Sequence, residues 1–408
     1  MKYRSIASLL LTAVIALGTV NPFSLQGGED IYGSVQQSPL LMPVLVLFII
    51  VVLTDKKCTR NKKILSPLLS MLIVLGSAFF LGDVFFDING IDLFTIFKYF
   101  VAVTSFCTFL LFYYTYPNEI QPAVILYCTI CVVLILGYFS GILAPFAHFN
   151  NGRLILFGEN PNSTSSRIGL AAIFFIHLIV HGRFTLVAKV LFFLGYASLA
   201  VYIVLSGSRG TFALVGLFSL VIARKYIFKR VWISAPLILL AIIFAIRFLS
   251  SWDFALFNRF EDLENGNNRT ELMENAIIIF KSHPLFGAGI NGYEVEKLIR
   301  GMDHHDSHCI ATSIMAMGGL TGIIAFLSFI IASIRRIGFK GAGDPLMVFL
   351  YLFFIALKTG GAITWILMWY TFALSIAMGS TNYLDLSNQK SRFSSHIRKL
   401  FGSKSNKV

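Results

Sequence analysis

Twelve runs of apolar residues divide the chain, near residues 5–20, 39–54, 64–82, 93–114, 123–142, 165–180, 187–205, 211–223, 231–248, 308–334, 345–357 and 363–379. In hydrocarbon every backbone amide and carbonyl must be paired within the protein, so runs of this kind have one general solution, the α-helix. A crossing takes about 20 residues, and units of helix plus turn of about 30 residues fill the chain about twelve times. Several runs are shorter than a full crossing, so boundaries read from hydropathy alone shift by a few residues. Composition agrees, with 56% hydrophobic and 13% charged residues and a mean hydropathy of +0.77. A soluble domain carries about 25% charged residues, so an ordinary water-soluble enzyme is excluded. The expectation is an all-α, polytopic integral membrane protein.

Orientation follows from Lys and Arg, which concentrate in cytoplasmic loops. With the N-terminus inside and the runs alternating, 21 of the 33 basic residues fall inside and 8 outside, while 16 of the 20 acidic residues fall outside. Both termini are therefore expected in the cytoplasm. The start, MKYR followed by an apolar run, looks like a signal peptide but lacks a small-residue cleavage site, and it is read as a retained first helix. Residues 1–380 form the expected membrane domain and 381–408 a basic cytoplasmic tail. The net charge of +13 lies in short stretches between apolar runs rather than on a face interleaved with aromatics, which argues against nucleic acid. Cys128 and Cys131 form a C-x-x-C inside an apolar run and are read as packing residues.

Polar residues that lipid-facing packing does not require collect in four places on the outer side. NNGRLILFGENPNSTSSR reads as a loop whose Asn160-Pro161-Asn162 forces a turn, bracketed by the positive charges of Arg153 and Arg167. LSGSRGTFALVGL reads as a two-helix corner. Its Arg209 opposes the dipole at the start of a helix, a poor place for stability and a good one for joining helix amides around an anion. In the long segment 249–307, RTELMENAIIIFKSH reads as an amphipathic helix with Leu272, Ala276, Ile279 and Phe280 on one stripe. After it, Gly287, Gly289 and Gly292 allow either a backbone nest for phosphate or a tight turn. Last come His304, His305, Asp306 and His308. No further ligand set accompanies them, so a general base, an imidazole that titrates near neutrality, is preferred to a metal site.

Together these pieces resemble the O-antigen ligase and polymerase superfamily of bacterial polysaccharide assembly. SGSRG is similar to the family's S-x-S-R-G signature, and NRTELMENAIIIFKSHPLFGAGINGYE to its R-x-x-x-(W)-x-x-A…F…HP-x-x-G-x-G segment. The stretch from His308 resembles H-N-x-x-L-x-x-L-x-E-x-G-x-x-G, reaching Gly319 and Gly322. GENPNSTSSR resembles the family's N-P-N turn, so the likeness spans roughly residues 150–335. Cys309 and Met317 depart from the pattern where Asn and an acidic residue are common.

The resemblance implies a metal-independent, inverting glycosyltransferase without a cofactor, in the bacterial inner membrane with its active face in the periplasm. The implied donor is a glycan on undecaprenyl diphosphate. The implied acceptor is a sugar hydroxyl on lipid A–core for a ligase, the favoured alternative, or on a growing lipid-linked glycan for a polymerase. Arg209 and His308 would be the catalytic groups, one holding the departing diphosphate and the other activating the acceptor. Arg269 and Arg153 would contact diphosphate or glycan, with Asn160, Asn162, Gly287, Gly289 and His305 completing the substrate contacts. The rival class is a transporter or lipid-linked glycan flippase, but transport sites lie near the midplane. Charges within the runs are few here, Lys98 being the clearest.

Overall fold

The computed structural model describes residues 2–19, 40–86, 93–157, 159–182, 184–229, 267–302, 307, 309–338, 343–358, 363 and 365–381. The described chain is a helical bundle. Its principal helices are α1 (Lys2–Thr19), α2 (Leu41–Thr54), α3 (Lys56–Arg60), α4 (Ser66–Phe85), α5 (Leu93–Thr115), α6 (Ile120–Phe139), α7 (Pro161–His181), α8 (Leu186–Leu205), α9 (Arg209–Lys229), α10 (Asn267–Ser282), α11 (Ile290–Ile299), α12 (Ile310–Ile337), α13 (Gly343–Ala356) and α14 (Ile366–Ser380). Eleven of the twelve apolar runs coincide with a helix, and the run at 231–248 lies outside the described residues, as does the tail from 382. Among the described residues, six helices are long and apolar enough to cross a membrane, and four shorter apolar helices accompany them. The chain is an all-α membrane protein in class.

One feature departs from the all-helical expectation. Strands β1 (Ala147–Asn150) and β2 (Arg153–Leu156) pair antiparallel across the beginning of the stretch read as a loop, with most of β1 just ahead of it. Asn151 and Gly152 join them with φ of 49° and 69°, a two-residue turn in which both residues are left-handed. Such turns match the twist of a hairpin and favour Asn-Gly.

α7 is buried along most of its length, with α6, α8, α9 and α13 packed against it. It starts on local chemistry: Asn160 Oδ1 accepts from the Asn162 amide at 2.9 Å, and Pro161 occupies the first turn, where its missing N–H costs nothing. Close approach depends on Gly169, where a Cβ would fall 2.2 Å from the Tyr351 hydroxyl. Around this centre, α4, α6, α8 and α12 turn exposed residues such as Val74, Leu136, Leu191 and Ile324 outward, as a lipid-facing surface requires. Buried hydroxyls cross-link the interior: Tyr99 donates to Leu72 O at 2.7 Å, Tyr127 to Arg167 O at 2.8 Å, and the Tyr113 and Tyr370 hydroxyls pair at 2.7 Å. Each bond of this kind between membrane helices contributes about 0.6 kcal/mol.

The bundle has two chemically distinct ends. At one, Arg4 pairs with Glu119 at 2.6 Å, Tyr116 donates to Asp55 at 2.5 Å and Asn61 donates to Thr115 at 2.9 Å. All these residues belong to segments that the alternating order assigns to one side. At the other end lie the hairpin, the start of α7 and the corner between α8 and α9.

α12 is broken at Gly319, whose φ of 58° and ψ of −155° are open essentially to glycine alone. The break cancels the helical bonds that Leu320 and Thr321 would donate to Ala316 and Met317. The loop after α10 fills the gap. Ala288 N donates to Ala316 O at 2.8 Å and Gly289 N to Met317 O at 3.0 Å, while Leu320 N donates to Pro284 O at 2.8 Å and Thr321 N to Leu285 O at 3.1 Å. Residues 284–289 are thus spliced into the ladder of the helix.

Candidate functional site

The corner at Ser206–Gly210 is a tight reversal. Ser206 and Ser208 are fully buried, and Gly207 takes a φ of 63° that lets α8 end and α9 begin with only three residues between them. Ser208 donates to Thr211 Oγ1 at 3.0 Å, and the Phe212 amide closes the first α9 bond onto Ser208 O at 3.0 Å. The amides at a helix start point outward along its axis and carry partial positive charge.

Three cations gather at this start. Arg209 opens α9 and is partly exposed. Arg153 reaches over from β2, its Nε donating to Ser206 O and its Nη2 to Asn162 Oδ1, both at 2.9 Å. A Cβ on Gly207 would come within 3.1 Å of the Arg153 side chain, so the glycine also gives it passage. Lys358, just past α13, donates to Ser208 Oγ at 3.4 Å and crosses Gly210, where a Cβ would meet its Nζ at 2.6 Å. The structure therefore brings together Arg153, Asn160, Asn162 and Arg209, and adds Lys358. A lone lysine between two apolar runs was visible in the sequence only as a topology marker.

Arg167 does not add to this positive field. It is 3% exposed, ion-paired with Glu159, and bonded to Thr164 at 3.3 Å. Its charge is neutralised inside the bundle, so the picture of two arginines bracketing the N-P-N turn is corrected to one. A buried pair of this kind fixes geometry more than it stabilises.

The G-x-G loop lies elsewhere, against α4 and α12. Its amides are occupied: Gly287 N donates to His283 O at 3.0 Å, and Ala288 and Gly289 donate into the break in α12. Asp83 accepts from Asn291 N at 2.8 Å, Asn291 Nδ2 at 2.9 Å and Gly292 N at 3.0 Å, so it caps α11 from α4. A Cβ on Gly289 would fall 2.3 Å from the Asp83 amide nitrogen. Of the two readings, nest or turn, the geometry here is that of a turn packed against protein, and Gly287 and Gly289 offer no open amide nest.

Arg269 lies in the first turn of α10, and its side chain is outside the described residues, as are His305 and His308 entirely. Their neighbours are well tied. Ser307 is fully buried, bonds Ser313 Oγ at 2.8 Å, accepts from Thr312 at 2.9 Å and donates to Cys309 O at 3.0 Å.

Fold and site together define a helical membrane protein with a cationic corner, built on a helix start, at one end of its bundle. Residues 194–327 match the family model described as O-antigen ligase, so the resemblance to the O-antigen ligase and polymerase superfamily is borne out over that stretch. The matched residues include the corner, α10, α11 and both sides of the Gly319 break, and stop short of Arg153, Asn162 and Lys358. No curated protein matches the chain.

Proposed function

We propose that the chain is a glycosyltransferase that moves a glycan from undecaprenyl diphosphate to a sugar hydroxyl at the periplasmic face of the inner membrane, as an O-antigen ligase acting on lipid A–core. The observation that carries this is the gathering of Arg153, Arg209 and Lys358 around the start of α9. A diphosphate leaving group develops negative charge as its bond to the anomeric carbon breaks, and fixed cations and helix amides stabilise that charge without reorganising. Arg209 and Lys358 face that charge, while Arg153 braces the corner and adds its own. His308 removes the acceptor proton as the acceptor oxygen attacks from the opposite face, which inverts the anomeric centre. Arg269 contacts the donor. No metal ion enters any step, and no cofactor is required. The donor's prenyl chain reaches the site from the surrounding bilayer.

The test is transfer by purified protein with a polyprenyl-diphosphate glycan and a core acceptor. Arg209→Lys keeps the charge and loses the two-pronged fork suited to phosphate, so transfer should fall by at least an order of magnitude at unchanged protein level. His308→Ala should abolish transfer and spare donor binding. Full activity in both variants would overturn the assignment. Deletion of the gene followed by a lipopolysaccharide gel separates the two family activities: loss of all attached polymer identifies a ligase, and a core bearing one repeat identifies a polymerase.

A further inference from the structure

At the bundle end opposite the cationic corner, three side chains meet whose chemistry the transfer reaction does not use. His177 and His181 stand one turn apart on the last two turns of α7, their rings 5.4 Å apart at 33°. Asp344, in the first turn of α13, lies between them. Its Oδ2 is 3.7 Å from His177 Nδ1 and in contact with His181 Nε2. The three donor atoms lie within 4.8 Å of one another. His177 is 1% and Asp344 3% exposed, while the His181 side chain keeps 25% of its surface in reach of solvent.

We propose that His177, His181 and Asp344 form a binding site for a divalent transition-metal ion of the zinc class, which fastens the end of α7 to the start of α13. The donor set, two imidazoles and one carboxylate, suits zinc or cobalt and is poor for magnesium or calcium, which favour oxygen alone. Ligands held at about 2.1 Å from a tetrahedral ion are about 3.4 Å apart, close to the His177–Asp344 separation. Burial gives the second reason. Asp344 Oδ2 is sealed from water and faces the two imidazoles, which carry no charge unless protonated, and a buried carboxylate needs a compensating positive charge. The site also lies at the C-terminal end of α7, where helix carbonyls favour a cation. The partly exposed His181 provides the way in and leaves room for a water as the remaining ligand.

The consequence is positional. α7 carries Asn162 at its other end and α13 leads into Lys358, so the ion would tie together two helices that build the cationic corner. The inference does not depend on the glycosyl-transfer reading, because its test measures binding.

The experiment uses the full chain in lipid nanodiscs, purified without a polyhistidine tag and stripped with chelator, then titrated with Co²⁺ followed by absorption and with Zn²⁺ by calorimetry. One ion per chain is expected, with His181→Gln and Asp344→Asn each weakening it at least tenfold, since even losing a group that merely orients a ligand costs about 10–100-fold. His181→Cys restores a ligand and should recover binding with a new thiolate-to-cobalt absorption band. The parent's melting temperature should rise on adding metal, and that of His181→Gln should not. His304→Ala with His305→Ala is the control for the other histidine cluster and should bind as the parent does. Absence of saturable binding, unchanged binding in His181→Gln, or loss of binding in the His304/His305 control would each overturn the proposal.

Discussion

Gly319→Ala is the most incisive perturbation of this fold, because two other glycines provide matched controls. Gly338 ends α12 with φ 74° and ψ 161°, the same glycine-only region as Gly319, and a Cβ there would meet nothing within 4 Å. Ala at that position therefore costs backbone strain alone, about 1–3 kcal/mol. At Gly319 the same strain applies, and a Cβ would also fall 2.5 Å from Gly287 N and 2.6 Å from Leu285 O. Both contacts are backbone and cannot swing aside, so the splice between the 284–289 loop and the helix must open. Opening it puts at risk four main-chain bonds, each worth about 1 kcal/mol net and more if its groups stay buried. The total loss for Gly319→Ala should exceed that for Gly338→Ala by about 2–4 kcal/mol. Gly216, inside α9 with nothing within 4 Å of its Cβ, is the benign reference. Thermal unfolding of the purified variants in one detergent should rank Gly216→Ala at or above the parent, then Gly338→Ala, then Gly319→Ala well below. Coincident midpoints for Gly319→Ala and Gly338→Ala would refute the idea that the close approach, rather than the dihedral angle, makes glycine obligatory.

Asp83→Asn keeps one acceptor for the start of α11 and loses the charge, and should lower stability by about 1–2 kcal/mol; Asp83→Ala should lower it further, both read by the same melting assay. Lys358→Met preserves the stem that crosses Gly210 and removes the charge, so transfer should fall about 10–100-fold with an unchanged melting temperature, and Lys358→Arg should restore part of it. For topology, a cysteine at Gly266 should react with an impermeant maleimide from outside and one at Lys62 should not. Background will be low, because all five native cysteines are buried and burial pushes the Cys58 thiol up to about 11.

The helices were legible because their signal is local: a run of apolar side chains specifies a helix in lipid whatever it packs against. The amphipathic stripe in α10 was equally readable, and Leu272, Ala276 and Ile279 are buried with Phe280 partly so. The hairpin at 147–156 carried a usable signal, Asn151-Gly152 between short apolar stretches, which the expectation of an all-helical chain obscured. α11 was hidden for a different reason. Its start is held by Asp83, some 200 positions earlier in the chain, and no local residue announces that cap. The corner could be read from its small residues and Arg209, yet its completion by Arg153 and Lys358 depends on long-range packing that brings β2 and the end of α13 to one helix start. Likewise the neutralisation of Arg167 follows from where Glu159 sits after the turn at Asn160-Pro161 folds back.

The break in α12 also makes a lever. The half-helix from Ile310 to Gly318 is about 13 Å long at 1.5 Å per residue, so a swing of about 10° at Gly319 would carry its far end by roughly 2 Å. A displacement of about 1 Å is enough to spoil the alignment of a reacting group. The half-helix cannot pivot alone, however, because the splice binds it to the 284–289 loop, and that loop runs into α11, whose start Asp83 pins to α4. The alignment of the half-helix Ile310–Gly318 is therefore set at its fulcrum, by main-chain bonds and one carboxylate well below its far end, and a substitution on α4 can put it out of true without touching that end.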